Sequence, residues 1–288
     1  MTVQTVDNNP ILRYVAEIES GTILVPRKVR KVYTHHAERI LHPDQYFYAP
    51  HRAEHIIQFV ERYLRHSKGS FGGKRIELEL WQKAFYALGW GFIDEDGLRQ
   101  FQRIILLVAK KNGKSLMGSA AGIYGLMADG EPGADVYSVA TTREQAKMIW
   151  EESRKMIAKS PILKKRVRSL VNGIYYDDKE SSFRALASDK DTLDGLNVHY
   201  ALMDELHQWK HGRGLWDIIV DGTSARTQPM VVAMSTAGTV RDDLYDELYE
   251  EATEVIKGYG NPEGVKDDRL LPVIYELDHR KEWEFPQM

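Results

Sequence analysis

Residues 103–115 read RIILLVAKKNGKS, and this stretch decides the fold. The apolar run at residues 104–108 predicts a buried strand, and a short polar turn then leads into Gly113, Lys114 and Ser115. Apolar residues at helical spacing follow the turn, which predicts that a helix begins there. A strand, a turn and a helix that opens with Lys-Ser are typical of a loop that binds phosphate.

This loop carries the groups that a bound triphosphate requires. Backbone N–H groups at the start of a helix face an anion, and Lys114 adds a positive charge for the β- and γ-phosphates. The Ser115 hydroxyl is suited to Mg²⁺. We therefore expect ATP and Mg²⁺ as ligands of one loop, formed by Lys110, Lys111, Asn112, Gly113, Lys114 and Ser115.

The composition is that of a water-soluble protein with a substantial core. The chain has 288 residues, of which 43% are hydrophobic and 28% charged. Its apolar runs are shorter than the roughly 20 residues of a membrane span, and its start does not resemble a signal peptide. The absence of cysteine excludes disulfides and thiolate zinc sites. The absence of cysteine also favours an intracellular protein. With a formal net charge of -3, any contact with DNA depends on local basic patches.

Three regions are predicted along the chain. Residues 1–75 are expected to form a helical extension, which ends in a glycine-rich linker. Residues 76–240 alternate apolar strands with helices, which predicts a central, mostly parallel sheet flanked by helices. Residues 241–288 are expected to form a lid or linker subdomain. The strands are expected at residues 104–108, 134–140, 174–176, 183–187, 198–203, 230–235 and 270–275.

Two consecutive carboxylates, Asp204 and Glu205, end the apolar run at residues 198–203. An aspartate in this position can anchor the Mg²⁺ that ATP carries. Alternation along an extended chain turns Glu205 another way, where it can orient or deprotonate an attacking water. The alternative is a solvated helix start, because acidic residues favour helix N-termini.

Three further polar residues have both a functional and a structural interpretation. Ser235 and Thr236 follow an apolar strand, where they can sense the γ-phosphate or simply form a serine–threonine turn. Gln82 follows Trp81, and its amide can both donate to and accept from an adenine edge. The alternative is a surface glutamine after a core tryptophan.

Two basic clusters, residues 27–31 and 159–168, either contact phosphates or form solvated surface. Several histidines lack the carboxylates that would accompany them in a metal site, so we interpret them as packed or solvent-facing. They are His35, His36, His207 and His211.

The ordered motifs resemble the large terminase subunit of tailed bacteriophages. They read LxxWQ at residues 78–82, VAKKNGKS at 108–115, LMDELHQW at 202–209 and STAG at 235–238. The likeness runs from about residue 10 to the end and is most specific between residues 78 and 240. In that family an ATP-driven motor threads double-stranded DNA into an empty capsid, and a second, C-terminal domain is a metal-dependent nuclease.

The resemblance implies an α/β fold of the P-loop NTPase type, in the ASCE class of motor ATPases. It makes Lys114 and Ser115 ligands of phosphate and Mg²⁺, Asp204 the second Mg²⁺ anchor, and Glu205 the catalytic carboxylate. It makes Gln82 the adenine reader and Ser235–Thr236 the motif that couples hydrolysis to movement. The implied partners are double-stranded DNA, the portal protein, the small terminase subunit and further copies of the chain in a ring, all in the host cytoplasm.

The chain departs from the family pattern at several positions. Val108 occupies the place of the first glycine of the loop, and Lys110 that of an arginine whose planar fork it lacks. Some relatives carry an arginine finger that acts on a neighbouring subunit, in an Arg-Gly pair that here reads Asp194-Gly195. We therefore name Arg226 or Arg213 as candidates for this finger in trans. No nuclease half is apparent in this sequence, and we expect ATP hydrolysis without DNA cleavage.

Two other functions stay open at this point. One is a helicase-like DNA translocase, which would need a second motor domain in the same chain. The other is a DNA- or capsid-binding module whose nucleotide site has decayed, and Val108 is its best support.

Overall fold

The computed structural model describes residues 8–188, 195–236 and 243–279. Asp194, the second half of the STAG motif and residues 241–242 and 280–288 of the expected lid lie outside these residues.

An eight-stranded sheet forms the centre of the protein. Its strands are β3 (Arg103–Leu107), β4 (Asp135–Ala140), β5 (Arg168–Ser169), β6 (Ile174–Tyr176), β7 (Ser181–Ala187), β8 (Val198–Met203), β9 (Met230–Ser235) and β10 (Leu270–Ile274). They lie in the order β10-β3-β9-β8-β4-β7-β6-β5. The six strands from β10 to β7 are parallel, and β6 and β5 continue the sheet as an antiparallel hairpin edge. The short strands β1 (Phe47–Tyr48) and β2 (Phe92–Ile93) pair with each other apart from this sheet.

Eight helices surround the sheet in the described part of the chain. They are α1 (Pro10–Glu19), α2 (Arg27–Leu41), α3 (Pro50–Tyr63), α4 (Leu80–Gly91), α5 (Lys114–Met127), α6 (Arg143–Lys159), α7 (Arg213–Asp221) and α8 (Leu244–Gly258). The expectation of a mostly parallel sheet flanked by helices is confirmed. None of the described helices is long and apolar enough to span a bilayer.

The strand order positions the site. β9 lies between the strand that precedes the phosphate loop, β3, and the strand that ends in the two carboxylates, β8. Leu107 is paired with Ser235 and Met203 with Ala233, so the three strands finish at the same edge of the sheet. Loops at the carboxyl ends of parallel strands form the ligand site of such sheets. The three polar motifs therefore meet although the chain separates them widely.

Helix α5 lies close against one face of the sheet because glycines line its inner side. Gly118, Gly122 and Gly125 follow one another at spacings of four and three residues, which places them on one helix face. A Cβ atom on Gly118 or Gly122 would overlap the side chains of Met234 or Leu202. The close approach fixes the N-terminus of α5, where the phosphate loop ends.

The N-terminal helices share the core of the sheet. Ile11, Val32 and Ile56, from α1, α2 and α3, belong to the same buried cluster as the strand residues Ile104 and Val232. Helices α1, α2 and α3 all lie before residue 76, and the division of the chain at this residue stays a prediction. These helices therefore pack in the same core as the central sheet.

The described residues of the expected lid do not form a separate subdomain. β10 pairs in parallel with β3 along its whole length, from Leu270 opposite Arg103 to Ile274 opposite Leu107. All five of its residues are buried. Residues 270–274 therefore complete the central sheet, because an apolar strand beside β3 satisfies backbone groups that would otherwise face solvent.

Candidate active site

The phosphate loop turns sharply before α5. Gly113 lies in the left-handed region with φ +79°, as does Lys111 with φ 71°, and glycine adopts that conformation without steric cost. The Asn112 side chain donates to the Ala109 carbonyl at 3.0 Å, which braces the loop from inside. Because α5 begins at Lys114, its first backbone N–H groups have no acceptor within the helix. This N-terminus is suited to bind an anion.

Lys114 lies between the two carboxylates that follow β8. Its Nζ is 2.8 Å from Asp204 Oδ1 and 2.7 Å from Glu205 Oε1, and the Lys114 side chain is only 6% exposed. The Ser115 hydroxyl donates to the other Asp204 oxygen, Oδ2, at 2.9 Å. The structure thus brings together the four residues that the sequence names for phosphate, Mg²⁺ and water.

Glu205 has an unusual backbone. Its φ of +53° and ψ of 43° are left-handed, a region that non-glycine residues enter at a cost and that is frequent at functional sites. The backbone N–H of Glu205 donates to Asp204 Oδ1 at 2.8 Å, and Trp209 Nε1 donates to the Asp204 carbonyl at 3.2 Å. These bonds hold the turn that directs the Glu205 carboxylate towards Lys114.

Ser235 and Thr236 contact the same turn through His207. The backbone N–H of His207 is 3.1 Å from Ser235 Oγ and its Nδ1 is 3.0 Å from that oxygen. Nδ1 also lies 3.5 Å from Thr236 Oγ1 and 3.3 Å from Glu205 Oε2. From the sequence, His207 is interpreted only as packed or solvent-facing and is not placed beside Glu205 and Ser235. Its position two residues after Glu205 is the one signal in the sequence that could have indicated this contact.

A cavity of about 350 Å³ opens beside these groups. One wall is the phosphate loop with Glu205 and Thr236, and the other includes His66, Ser67 and Lys68 from the linker after α3. Glu152 of α6 holds this second wall, because it accepts a hydrogen bond from Ser67 Oγ and lies 3.6 Å from Lys68 Nζ. The linker, which the sequence predicts as a turn, thus borders the site.

A second, more apolar hollow of about 300 Å³ shares Val108 and Asn112 of the loop as part of its wall. Its other lining residues include Leu24, Val25, Trp81 and Tyr275. The rings of Trp81 and Tyr275 meet edge to face with centroids 5.5 Å apart. Its aromatic lining suits a flat, apolar group.

Gln82 lies against the phosphate loop and caps α4. Its Oε1 accepts from the Glu79 N–H at 3.0 Å, within a capping box that Glu79 completes. Its Nε2 faces the loop, 3.0 Å from where a Cβ on Gly113 would lie. The structure thus gives Gln82 a structural bond and a place beside the loop, and its adenine-reading role stays a prediction.

Arg226 does not lie at the site. Its guanidinium donates to Glu131 Oε1 at 3.0 Å and to the Gly133 carbonyl at 2.6 Å, and its side chain is 9% exposed. Asn197, whose carbonyl is 3.3 Å away, precedes β8, so Arg226 borders the amino ends of the strands, opposite the phosphate loop. Arg226 therefore does not act on the nucleotide site of its own chain, and its candidate role as a finger towards a neighbouring subunit stays a prediction. The other candidate, Arg213, is exposed on α7 and paired with carboxylates.

The strand order and the meeting of loop, carboxylates and hydroxyl motif define a P-loop NTPase of the ASCE class. The family model "Terminase large subunit, ATPase domain" matches residues 80–254, and the chain belongs to this family.

Two relatives show the extent of the likeness. The chain is 26% identical over 246 residues to the terminase large subunit of Enterobacteria phage HK97, covering 81% of this chain and 45% of that protein. It is 32% identical over 96 residues to protein YmfN of Escherichia coli K12, covering 33% of this chain and 20% of that protein. The crystal structure of the HK97 large terminase matches with a TM-score of 0.65 at 23% identity, over 78% of this chain and 44% of that one. The chain therefore spans less than half the length of these relatives.

Proposed function

We propose that this chain hydrolyses ATP and acts as the motor that moves double-stranded DNA into a phage procapsid. The observation that carries the proposal is the convergence of Lys114, Ser115, Asp204 and Glu205 at one edge of the sheet, in a member of the terminase ATPase family. A lysine, a hydroxyl and two carboxylates at the start of a helix are the set that phosphoryl transfer from ATP requires.

The residues present fit a magnesium–nucleotide complex. Ser115 Oγ and Asp204 Oδ2 are hard oxygen donors only 2.9 Å apart, the ligand type that Mg²⁺ prefers. The buried Glu205 Oε2 has no hydrogen bond among the described residues, which leaves it able to accept one. We place the phosphates in the cavity beside Lys114 and the adenine ring in the apolar hollow with Trp81.

The reaction is a displacement at the γ-phosphorus. When bound, Mg²⁺ neutralises charge on the phosphate oxygens and orients them for in-line attack. Lys114 holds the phosphates, and Glu205 accepts a proton from the attacking water while the water oxygen bonds to the γ-phosphorus. The bond from that phosphorus to the bridging oxygen breaks, and ADP leaves with the electron pair.

Glu205→Gln tests the catalytic role directly. Glutamine keeps the shape but cannot accept the proton, so we expect turnover to fall by roughly 100-fold or more with nucleotide affinity retained. Phosphate release and binding of a fluorescent ATP analogue measure the two quantities. Glu250→Gln, at an exposed position of α8, is the matched control. Wild-type binding without any turnover, even at high protein concentration, would favour a non-hydrolysing module.

The described basic residues suggest where DNA is contacted. In the 27–31 cluster, Lys28 pairs with Glu276 and Lys31 donates to the Lys257 carbonyl, so these charges hold α2 to the rest of the fold. In the 159–168 cluster, Lys164 and Lys165 are exposed and make no ion pair with the described residues, whereas Arg166 and Arg168 pair with Asp178 and Asp177 at the surface. We therefore assign duplex contact to the 159–168 cluster.

DNA binding at different salt concentrations tests this assignment. Lys164→Gln should weaken binding to random-sequence duplex and reduce the salt slope of affinity by about one. Lys266→Gln removes an exposed charge elsewhere and is the control. If Lys164→Gln and Lys266→Gln change DNA affinity and its salt slope equally, the assignment of duplex contact to the 159–168 cluster is wrong. The portal protein, the small subunit, a ring of copies and the host cytoplasm remain part of the proposal on the family resemblance.

A further inference from the structure

His207 connects Glu205 to the hydroxyl motif after β9. It lies in the single turn Leu206–Gln208, directly after the left-handed Glu205, and its side chain is 12% exposed. One ring nitrogen, Nδ1, faces both Glu205 Oε2 at 3.3 Å and Ser235 Oγ at 3.0 Å. The backbone N–H of His207 also reaches Ser235 Oγ at 3.1 Å, which fixes the ring against that strand end.

The hydrogen-bond network assigns the proton on this ring. The Ser235 hydroxyl donates to the Thr236 carbonyl at 3.0 Å, so towards His207 its oxygen accepts. The Glu205 carboxylate accepts only. Since the two nearest polar neighbours of Nδ1, Ser235 Oγ and Glu205 Oε2, are acceptors, we assign the tautomer in which Nδ1 carries the proton.

Lys114 and His207 face opposite oxygens of the Glu205 carboxylate. Lys114 Nζ lies 2.7 Å from Oε1, whereas Oε2 faces His207 and makes no hydrogen bond of good geometry among the described residues. Phosphates in the cavity compete for the Lys114 ammonium. Once Lys114 turns to the phosphates, His207 is the remaining side chain of the described residues that can offer an N–H group to the Glu205 carboxylate.

We propose that His207 is a positioning residue for ATP hydrolysis. It holds Glu205 through Oε2 so that Oε1 faces the water, and it ties that orientation to Ser235 and Thr236. Thr236 lines the cavity and Nδ1 lies 3.5 Å from its hydroxyl, so a change at the terminal phosphate reaches Glu205 through one side chain. This inference rests on the proposed hydrolytic function of the same site.

Two substitutions at residue 207 separate positioning from packing. His207→Ala removes the N–H, and we expect kcat to fall roughly 10- to 100-fold while the nucleotide Kd stays within about twofold. His207→Asn keeps an N–H donor near the Nδ1 position and should recover most of that loss. His51→Ala, an exposed histidine of α3, is the control. A denaturant midpoint measured on each variant distinguishes lost orientation from lost folding.

A double-substitution cycle tests the connection to Ser235. If His207 and Ser235 act as one unit, the effects of His207→Ala and Ser235→Ala on kcat should be strongly non-additive. Full additivity would overturn the link, and a normal kcat in a folded His207→Ala variant would overturn the positioning role. In the latter case, loss of turnover in Glu205→Gln would leave the proposed function standing. Turnover that survives Glu205→Gln would instead remove the proposed function itself.

Discussion

Replacing Gly125 with alanine tests whether close contact between α5 and the sheet sets the position of the phosphate loop. A Cβ on Gly125 would lie 2.7–2.9 Å from three ring atoms of Tyr200, closer than a carbon atom tolerates. Tyr200 is fully buried on β8, and its hydroxyl accepts a hydrogen bond from Trp90 Nε1 at 2.8 Å. The ring therefore cannot move aside, and α5 must lift away from the sheet.

The magnitude follows from two opposing effects. Overpacking of a well-packed core costs about 1–3 kcal/mol. Alanine in a helix interior regains about 0.5–1 kcal/mol relative to glycine. We therefore expect Gly125→Ala to lower the free energy of unfolding by about 1 kcal/mol, and to lower Tm by about 2–4 °C. Because α5 begins at Lys114, nucleotide affinity should fall as well.

Gly118→Ala is the matched control on the same helix face. Its Cβ would meet the terminal methyl and sulfur of Met234, a flexible side chain that can turn away. We expect this variant to be near neutral or slightly stabilised. Urea unfolding of both variants, with midpoints and slopes compared, is the assay. The reasoning is refuted if Gly125→Ala is as stable as Gly118→Ala, because a rigid Tyr200 could not then limit the approach of α5.

Three further outcomes are expected. Asp129→Asn removes the negative charge that lies 2.9 Å from the buried Arg99, so the free energy of unfolding should fall by about 3–5 kcal/mol in denaturant unfolding. A loss below about 1 kcal/mol would contradict this. Arg226→Gln removes the bonds to Glu131 and Gly133 and should lower stability. If these bonds are its only role, ATP turnover per folded molecule stays unchanged, whereas a folded variant with low kcat would support the finger role. Burial lowers the pKa of His36 to about 3 from an ordinary value of 6.5, so the unfolded chain binds an extra proton between these pH values. Stability should therefore fall as pH drops through this range, by at most about 1.4 kcal/mol per pH unit from this residue, and His36→Phe should flatten the slope seen in unfolding curves.

The strands could be predicted because each buried strand corresponds to a short run of mostly apolar residues. β8 and β9 are buried at every position, and the mostly apolar runs at residues 198–203 and 230–235, which include only His199 and Ser235 as clearly polar residues, coincide with the observed strands. The start of α6 depends on an equally local signal, because the Thr142 side chain caps the helix by accepting a hydrogen bond from the Gln145 N–H. The phosphate loop could be placed for the same reason.

The partners of each strand could not be predicted from such runs. Residues 270–274 read as a strand, but only the structure shows that β10 lies beside β3 and not in a lid. Arg226 follows α7 in a region with no strong pattern, and its bonds to Glu131 and Gly133 depend on which strand ends are neighbours. The same holds for Glu152, whose contact with Ser67 connects residues 85 positions apart.

The contacts of Lys114 explain how Asp204 and Glu205 keep their positions before ATP binds. Asp204 and Glu205 are adjacent carboxylates in a largely buried place, and their mutual repulsion would be costly without the lysine between them. When the phosphates take the ammonium, each carboxylate needs another partner at that moment. Mg²⁺ suits Asp204, which already bonds the Ser115 hydroxyl, and the N–H of His207 suits Glu205. Under the proposed function, nucleotide binding, metal binding and the orientation of Glu205 are expected to be coupled by charge, so that the carboxylate becomes free to act as a base only when the triphosphate is bound.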